Sequence, residues 1–356
     1  MGAILVVNAG STSLKLHAVE DDGRSAAVDS FADAPPGLDA VAHRVVHGGP
    51  SFLDPVVIDE DVRDQIRALV PLAPLHNAPA LDAIETARQA FPDLPHVAIF
   101  DTSFHRTIPE EAAVYAVPIR WRTEWGVRRY GFQGLSVEWC AERVPQLLGH
   151  AVERLVVCHL GGGSSVTAVR SGKSVDTTMG LTPLEGVPMT TRSGSVDPGA
   201  LLYLLRERGL DTESLDHALN FESGVTGLAG GGAGGMVEVE RRARVGDPDA
   251  QLALEVMLHR LAAAVAAMAA AAEGLDALAF TAGIGEGSSV VRERLCGRLR
   301  FLGVELDPDR NDAAEPDCDV AADGSRVRVL VVRAREELVA ARAARALLAG
   351  LCTPDP

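Results

Sequence analysis

The chain has 356 residues, 47% of them hydrophobic, enough for two domains with full cores. A net charge of -16 and a pI of about 5.0 exclude nucleic acid and anionic membrane as partners. The five cysteines (Cys140, Cys158, Cys296, Cys318, Cys352) are scattered without a CxxC spacing. They read as reduced thiols of a cytosolic protein, not as a disulfide frame or a zinc site.

The chain opens directly on a strand, with no basic leader ahead of an apolar cleavable segment, so a cytoplasmic location is expected. Residues 5–19 (LVVNAGSTSLKLHAV) read as strand, glycine and hydroxyl turn, strand. Residues 40–46 form the next strand, and 62–70 a helix stopped by Pro71. Asn77 is read as the cap of a helix from Pro79 to about Ala90, with proline near its start. Residues 96–100 are a short buried strand ending at Asp101. Residues 155–169 (LVVCHLGGGSSVTAV) repeat the strand–turn–strand device of the N-terminus. Asp197 and Pro198 open a helix over 199–208 that Gly209 closes. The run 261–272 is too short and too weakly apolar to span a bilayer and reads as a buried helix. Residues 278–281 lead as a strand into the turn Gly283-Ile284-Gly285, with a helix near Ser289; 327–332 and 336–348 are the last strand and helix. Strands and helices alternate, which argues α/β.

The two echoing hairpins lie ~150 residues apart and suggest a duplicated domain, with backbone N–H groups at small-residue tips free to approach phosphate. An acidic protein that handles phosphate needs local arginines and a divalent metal. Three loops concentrate such residues. In His43-Arg44-Val45-Val46-His47-Gly48-Gly49, a strand delivers a guanidinium to a glycine loop, a planar fork for carboxylate or phosphate. In Phe100-Asp101-Thr102-Ser103-Phe104-His105, an aspartate ends a parallel strand, on the edge where α/β proteins bind ligands. The third, 177–198 (TTMGLTPLEGVPMTTRSGSVDP), is long and irregular, and Arg192 sits late in it. The glycine stretch 227–235 (GLAGGGAGG) is either a loop without a role or a nucleotide-facing one.

Together VVNAGSTSLK, HRVVHGG, LAPLHNAPAL, FDTSFH, RYGFQG, HLGGGSS, the MGLTPLEG to TRSG loop, FTAGIGE and the C-terminal EEL resemble the acetokinase family, acetate kinase with its propionate and butyrate kinase relatives. The resemblance implies duplicated ribonuclease-H-like domains, as in actin, sugar kinases and chaperone ATPases, around a central cleft. The domain border is expected near Ser103, with 1–103 plus 337–356 as the first domain and 104–336 as the second, closing to exclude water. It implies reversible Mg²⁺-dependent transfer of the ATP γ-phosphoryl group to a short-chain carboxylate, and a homodimer. By position, Arg44 holds the acceptor carboxylate, Arg192 stabilises the transferring phosphoryl group, Asp101 is the essential carboxylate, and His76 is a further catalytic candidate. Asn8 and Glu336 stand near Mg²⁺. Val46, Leu75, Phe132 and Pro183 line the acyl pocket. Lys15, His159, Gly161, Gly162, Gly163, Gly283, Ile284 and Gly285 face the nucleotide.

The chain departs from the family pattern at four places. Gln133 replaces a histidine that hydrogen-bonds the phosphoryl group, which predicts slower turnover. Gly162 replaces an asparagine, Ser195 replaces an acid, and residues 230–236 lack the serine-aspartate-arginine stretch that touches the nucleoside. The acceptor side is kept and the donor side eroded. The readings that follow are an acetate kinase, then a propionate or butyrate kinase, one using another donor such as pyrophosphate, or a non-catalytic nucleotide-binding homologue.

Overall fold

A computed structural model describes residues 2–10, 14–232 and 234–351. The hydroxyl tip of the first hairpin, Ser11-Thr12-Ser13, and Cys352 lie outside the described residues. The chain divides into two compact units. Unit 1 comprises Met1–Arg106, Tyr115–Trp139 and Arg335–Pro356; unit 2 comprises Thr107–Val114 and Cys140–Ala334. An uninterrupted second domain from 104 to 336 is therefore not what forms. Residues 115–139 rejoin unit 1, where Leu135 and Trp139 pack into the core under the sheet.

Unit 1 is built on strands β1 (Ala3–Ala9), β2 (Leu14–Val19), β3 (Ser25–Val28), β4 (Leu38–Val45), β5 (Val56–Val57) and β6 (His96–Phe100), in the order β3-β2-β1-β4-β6-β5. β1, β2 and β3 form an antiparallel meander; β4 and β6 add in parallel, and β5 closes the edge antiparallel. β1 is apolar on both faces because both are covered. Ile4 and Val6 pack with Val339, Ala340 and Ala344 of the C-terminal helix Glu336–Leu351. Leu5, Val7 and Ala9 pack with Ala80, Ala83 and Ala87 of the helix Pro74–Ala90. Each fully buried aliphatic side chain there contributes about 1.5–3 kcal/mol.

Unit 2 repeats this plan with β7 (Arg154–Leu160), β8 (Ser164–Arg170), β9 (Lys173–Thr177), β10 (Ala277–Thr281), β11 (Cys318–Asp319) and β12 (Arg328–Val331), in the order β9-β8-β7-β10-β12-β11. The meander, the two parallel additions and the antiparallel edge recur one for one. The hairpin echo is therefore a true duplication, and the fold is the duplicated ribonuclease-H-like α/β arrangement.

The apolar run 261–272 belongs to a longer helix, Pro248–Ala271, capped by Asp247. By length and composition this helix is apolar enough to cross a membrane. Leu254, Leu258, Leu261 and Val265 instead share one core with Val156, Cys158 and Val166 of the unit 2 sheet.

Candidate active site

The parallel strands of unit 1 bring their C-terminal ends to one edge, where α/β sheets bind ligands. Asn8 stands opposite Arg44 in the β1–β4 register. Asp101 follows β6, its N–H donating to the Val45 carbonyl at 3.0 Å. The C-terminal helix starts at Glu336. These four side chains form one network. Arg44 forks onto Asp101, with Nε donating to Oδ1 at 2.9 Å and Nη2 to Oδ2, while Nη1 donates to Asn8 Oδ1 at 2.9 Å. Asn8 Nδ2 donates to Glu336 Oε2 at 3.1 Å, and Arg44 Nη1 lies 3.7 Å from that oxygen.

The Arg44 side chain is 14% exposed and that of Asp101 1%. Burial pushes the Asp101 carboxyl up, and the Arg44 guanidinium opposes it. Burial pulls Arg44 down, but Asp101 and Glu336 outweigh it and raise its pKa. The two-bond fork needs an acceptor-only carboxylate, so both partners are ionised. With Glu336 charged, the corner carries one positive and two negative groups.

Residues 130–134 close over this corner. The Gln133 backbone N–H hydrogen-bonds the Asp101 carboxylate, and Gly134 N donates to the Asp101 carbonyl at 3.1 Å. A Cβ at Gly134 would meet that carbonyl at 2.0 Å, which explains the glycine. Gln133 is buried in the left-handed region, φ 61°, a conformation that stores strain beside the site. His105 Nε2 donates to the Phe132 carbonyl at 2.8 Å, and burial holds its pKa down at about 4.

The helix cap read at Asn77 is a correction. The helix begins at Pro74, with Asn77 and Pro79 inside it. Asn77 is fully buried: its Oδ1 accepts from His47 N at 3.1 Å and its Nδ2 donates to the His47 carbonyl at 3.0 Å. A buried amide that satisfies both backbone polar groups of one residue is worth more here than a cap. This ties the first helical turn, with half-buried Leu75 and His76, to Val46 and the 43–49 loop. The His47 ring lies 4.8 Å from that of Tyr130 and 5.3 Å from that of Phe132. Nothing in the sequence marked the Asn77–His47 bond.

Unit 2 holds the other candidates. His159 pairs with Thr281 in the β7–β10 register, and the turn Gly161-Gly162-Gly163 follows β7. It is braced by Thr190, which bonds the Gly161 and Gly162 carbonyls, both at 3.4 Å. The turn read at Gly283-Ile284-Gly285 is a correction as well: Ala282–Gly287 is a short helix. It begins beside the first turn, since a Cβ at Gly161 would lie 3.6 Å from that of Ala282. Lys15 belongs to unit 1, exposed on β2 opposite Asn8.

The loop 178–197 is fully structured. Ser195 N donates to the Gly186 carbonyl at 2.8 Å and Gly186 N to Ser195 Oγ at 3.1 Å, so the serine found in place of the family's acid staples the loop. Arg192 is 8% exposed and donates Nη1 to the Pro183 carbonyl at 3.3 Å; burial lowers its pKa. Pro183 lies in unit 2 with Arg192, and Val46, Leu75 and Phe132 lie in unit 1. The glycine stretch is divided between the helices Gly224–Leu228 and Gly235–Arg244, with Gly230, Gly231, Gly232 and Gly234 at positive φ between them.

A sequence profile of the acetokinase family matches residues 27–342. The chain is 46% identical over 322 residues to an acetate kinase of Microcystis aeruginosa, covering 90% of this chain and 79% of that one. It is 42% identical to an acetate kinase of Clavibacter michiganensis subsp. michiganensis, covering 98% and 100%. Among solved structures it is similar to a propionate kinase from Francisella tularensis (TM-score 0.88, 34% identity, 96% and 99% covered). It is also similar to Porphyromonas gingivalis acetate kinase (TM-score 0.85, 31% identity, 98% and 100% covered).

Proposed function

The chain belongs to the acetokinase family, as a phosphotransferase with a carboxyl group as acceptor, and we propose that it moves the γ-phosphoryl group of ATP reversibly onto acetate, giving acetyl phosphate and ADP. The observation that carries this reading is the buried corner of Arg44, Asp101, Asn8 and Glu336. A carboxylate acceptor is ionised at neutral pH, so the reaction needs no general base. One carboxylate oxygen attacks the γ-phosphorus as the bond to the ADP oxygen breaks, and ADP leaves with that electron pair. The obstacle is bringing an anion to a polyanion, so the work is positioning and charge neutralisation.

Arg44 spends two N–H groups on Asp101 and one on Asn8, which fixes its plane and leaves N–H groups for the incoming carboxylate. Arg192 supplies the second guanidinium, for the transferring phosphoryl group; its Nη1 donates to the Pro183 carbonyl at 3.3 Å and lies 3.8 Å from the Met189 sulfur. Gln133 offers a neutral amide in place of a titratable ring. Val46, Leu75 and Phe132 shape the acyl side within unit 1. Backbone N–H groups at 161–163 and 283–285 suit donor phosphates.

The donor set fits Mg²⁺. Asn8, Glu336 and Asp101 offer hard oxygens in a corner of net negative charge, and no group of three or more His, Cys, Asp or Glu side chains forms a metal cage among the described residues. Mg²⁺ is characteristically held by one or two carboxylates plus substrate phosphates. When bound it neutralises phosphate charge, and Asn8 and Glu336 would hold it.

One feature favours a second donor. The stretch 230–235 presents glycine where a nucleoside would need side chains, and Val237 beyond it is 80% exposed. The test is hydroxylamine trapping of acyl phosphate from acetate and Mg²⁺ with ATP, then with pyrophosphate, then with propionate and butyrate. Product with ATP and acetate supports the reading; a folded protein silent with every pair overturns it. A cytoplasmic homodimer is part of the same proposal, checked by sedimentation of the purified chain.

A further inference from the structure

The helix Ala282–Gly287 carries Gly283, Ile284 and Gly285, three donor-side residues of the reading above. Three of its six residues are glycine, and so short a segment does not hold a helix alone, because nucleation costs more than a few hydrogen bonds return. Its shape is imposed by two side chains. Glu286 accepts from Ala282 N at 3.1 Å and from Ala334 N at 2.9 Å, closing the first turn. Arg292, from the next helix, donates Nη1 to the carbonyls of Gly285 at 2.9 Å and Glu286 at 2.7 Å, holding the last turn.

Arg292 is itself aimed. Its Nε donates to Asn311 Oδ1 at 2.7 Å and its Nη2 to the Asn311 carbonyl at 3.0 Å, while Asn311 Nδ2 donates to the Ser289 carbonyl at 2.9 Å. Arg292 is 2% exposed and Asn311 1%. All four oxygens that Arg292 bonds are neutral, and a guanidinium buried without a carboxylate is costly. An apolar side chain of similar length would fill the space without that cost, so packing alone does not account for the arginine. Only its planar fork reaches two successive helix-end carbonyls and Asn311 together.

We propose that Arg292, aimed by Asn311, is the positioning residue for the donor-side glycine helix, holding the N–H groups of 283–285 where nucleotide phosphates bind. The proposal rests on the kinase reading. Its test is calorimetric titration of Mg·ADP into the full chain, with KM for ATP and for acetate measured separately. Arg292→Lys, which replaces a fork by a point donor, is expected to weaken ADP binding and raise the KM for ATP about tenfold, leaving the KM for acetate within about twofold. Asn311→Ala keeps the guanidinium but not its aim, and about a threefold change in the same direction is expected should the lysine variant fail to fold. Arg328→Met, which removes the pair with Asp319 on the β11–β12 edge, is the stability control: the melting temperature falls and ADP affinity holds. A folded Arg292→Lys with unchanged ADP affinity, or with both KM values raised alike, overturns the clamp alone. A wild-type chain that binds no ADP and forms no acyl phosphate overturns the kinase reading and the clamp together.

Discussion

The two units share one strand order and put opposite chemistry at its ends. In unit 1 the parallel strands terminate in ionised side chains locked to one another, Arg44 on Asp101 and both near Glu336. In unit 2 they terminate in glycine backbone, with Thr281 and His159 at the edge and Arg192 set against the Pro183 carbonyl. Duplication supplied the scaffold twice. On the kinase reading proposed above, unit 1 balances fixed charges for an acceptor carboxylate and a cation, while unit 2 offers N–H groups and a guanidinium to phosphate.

That contrast breaks most sharply at the two arginines. Arg192→Ala is expected to lower turnover by about three to four orders of magnitude, by loss of transition-state charge stabilisation, with little change in melting temperature. Activity that survives in a folded variant would sink the assignment. Arg44→Ala should do something different: it strands the buried Asp101 carboxylate, so stability falls by about 3–5 kcal/mol in addition to the loss of activity. Urea unfolding of both variants reads the difference; equal stabilities would mean the fork does not matter to the fold.

A pH scan sharpens the contrast further, because three histidines with depressed pKa lie in unit 1. His105 is held at about 4, and His43 and His96, joined Nε2 to Nδ1 at 2.9 Å, are both lowered by burial. Between pH ~6.5 and 4 the unfolded chain binds protons that the folded chain refuses, so stability present above that window is lost as pH falls through it. For His105 alone the loss is about 3 kcal/mol, and the His43–His96 pair adds to it, while the raised Asp101 works the other way. All three tryptophans (Trp121, Trp125, Trp139) belong to unit 1, so their emission follows its unfolding directly. A midpoint that stays flat from pH 7 to 4 would contradict these shifts.

The smallest expected effect is a gain. Gln133→His should raise turnover about tenfold, by restoring a side chain that donates more strongly to a phosphoryl oxygen. The backbone will accept it, since histidine is enriched at the positive φ that Gln133 already holds. Unchanged kcat would show that the neutral amide is sufficient.

Much of this was legible from residue order, because periodicity and turn chemistry are local. The strand over 96–100, the helix after Asp197-Pro198 and the hairpin echo all follow from apolar runs punctuated by glycine, proline and aspartate, and each forms. Arg44, Asp101, Asn8 and Glu336 could be named as candidates, yet their joining could not be read: Asn8 and Glu336 are 328 residues apart, and the parallel pairing of β1 with β4 and of β4 with β6, with the C-terminal helix packed on the same sheet, makes the four neighbours. Asn77 shows the same limit from the other side. Beside Pro79 an asparagine looks like a cap, and only the arrival of the His47 peptide against the helix gives its amide a better partner. The same holds for Ala282–Gly287, whose glycines spell a turn until Arg292, Asn311 and Glu286 close around it. Local order determined which segments became strands and helices and which residue types could do phosphoryl chemistry. Tertiary structure decided which buried polar groups found each other, because a buried hydrogen-bonding group is satisfied by whatever the fold brings within 3 Å, whatever its distance along the chain.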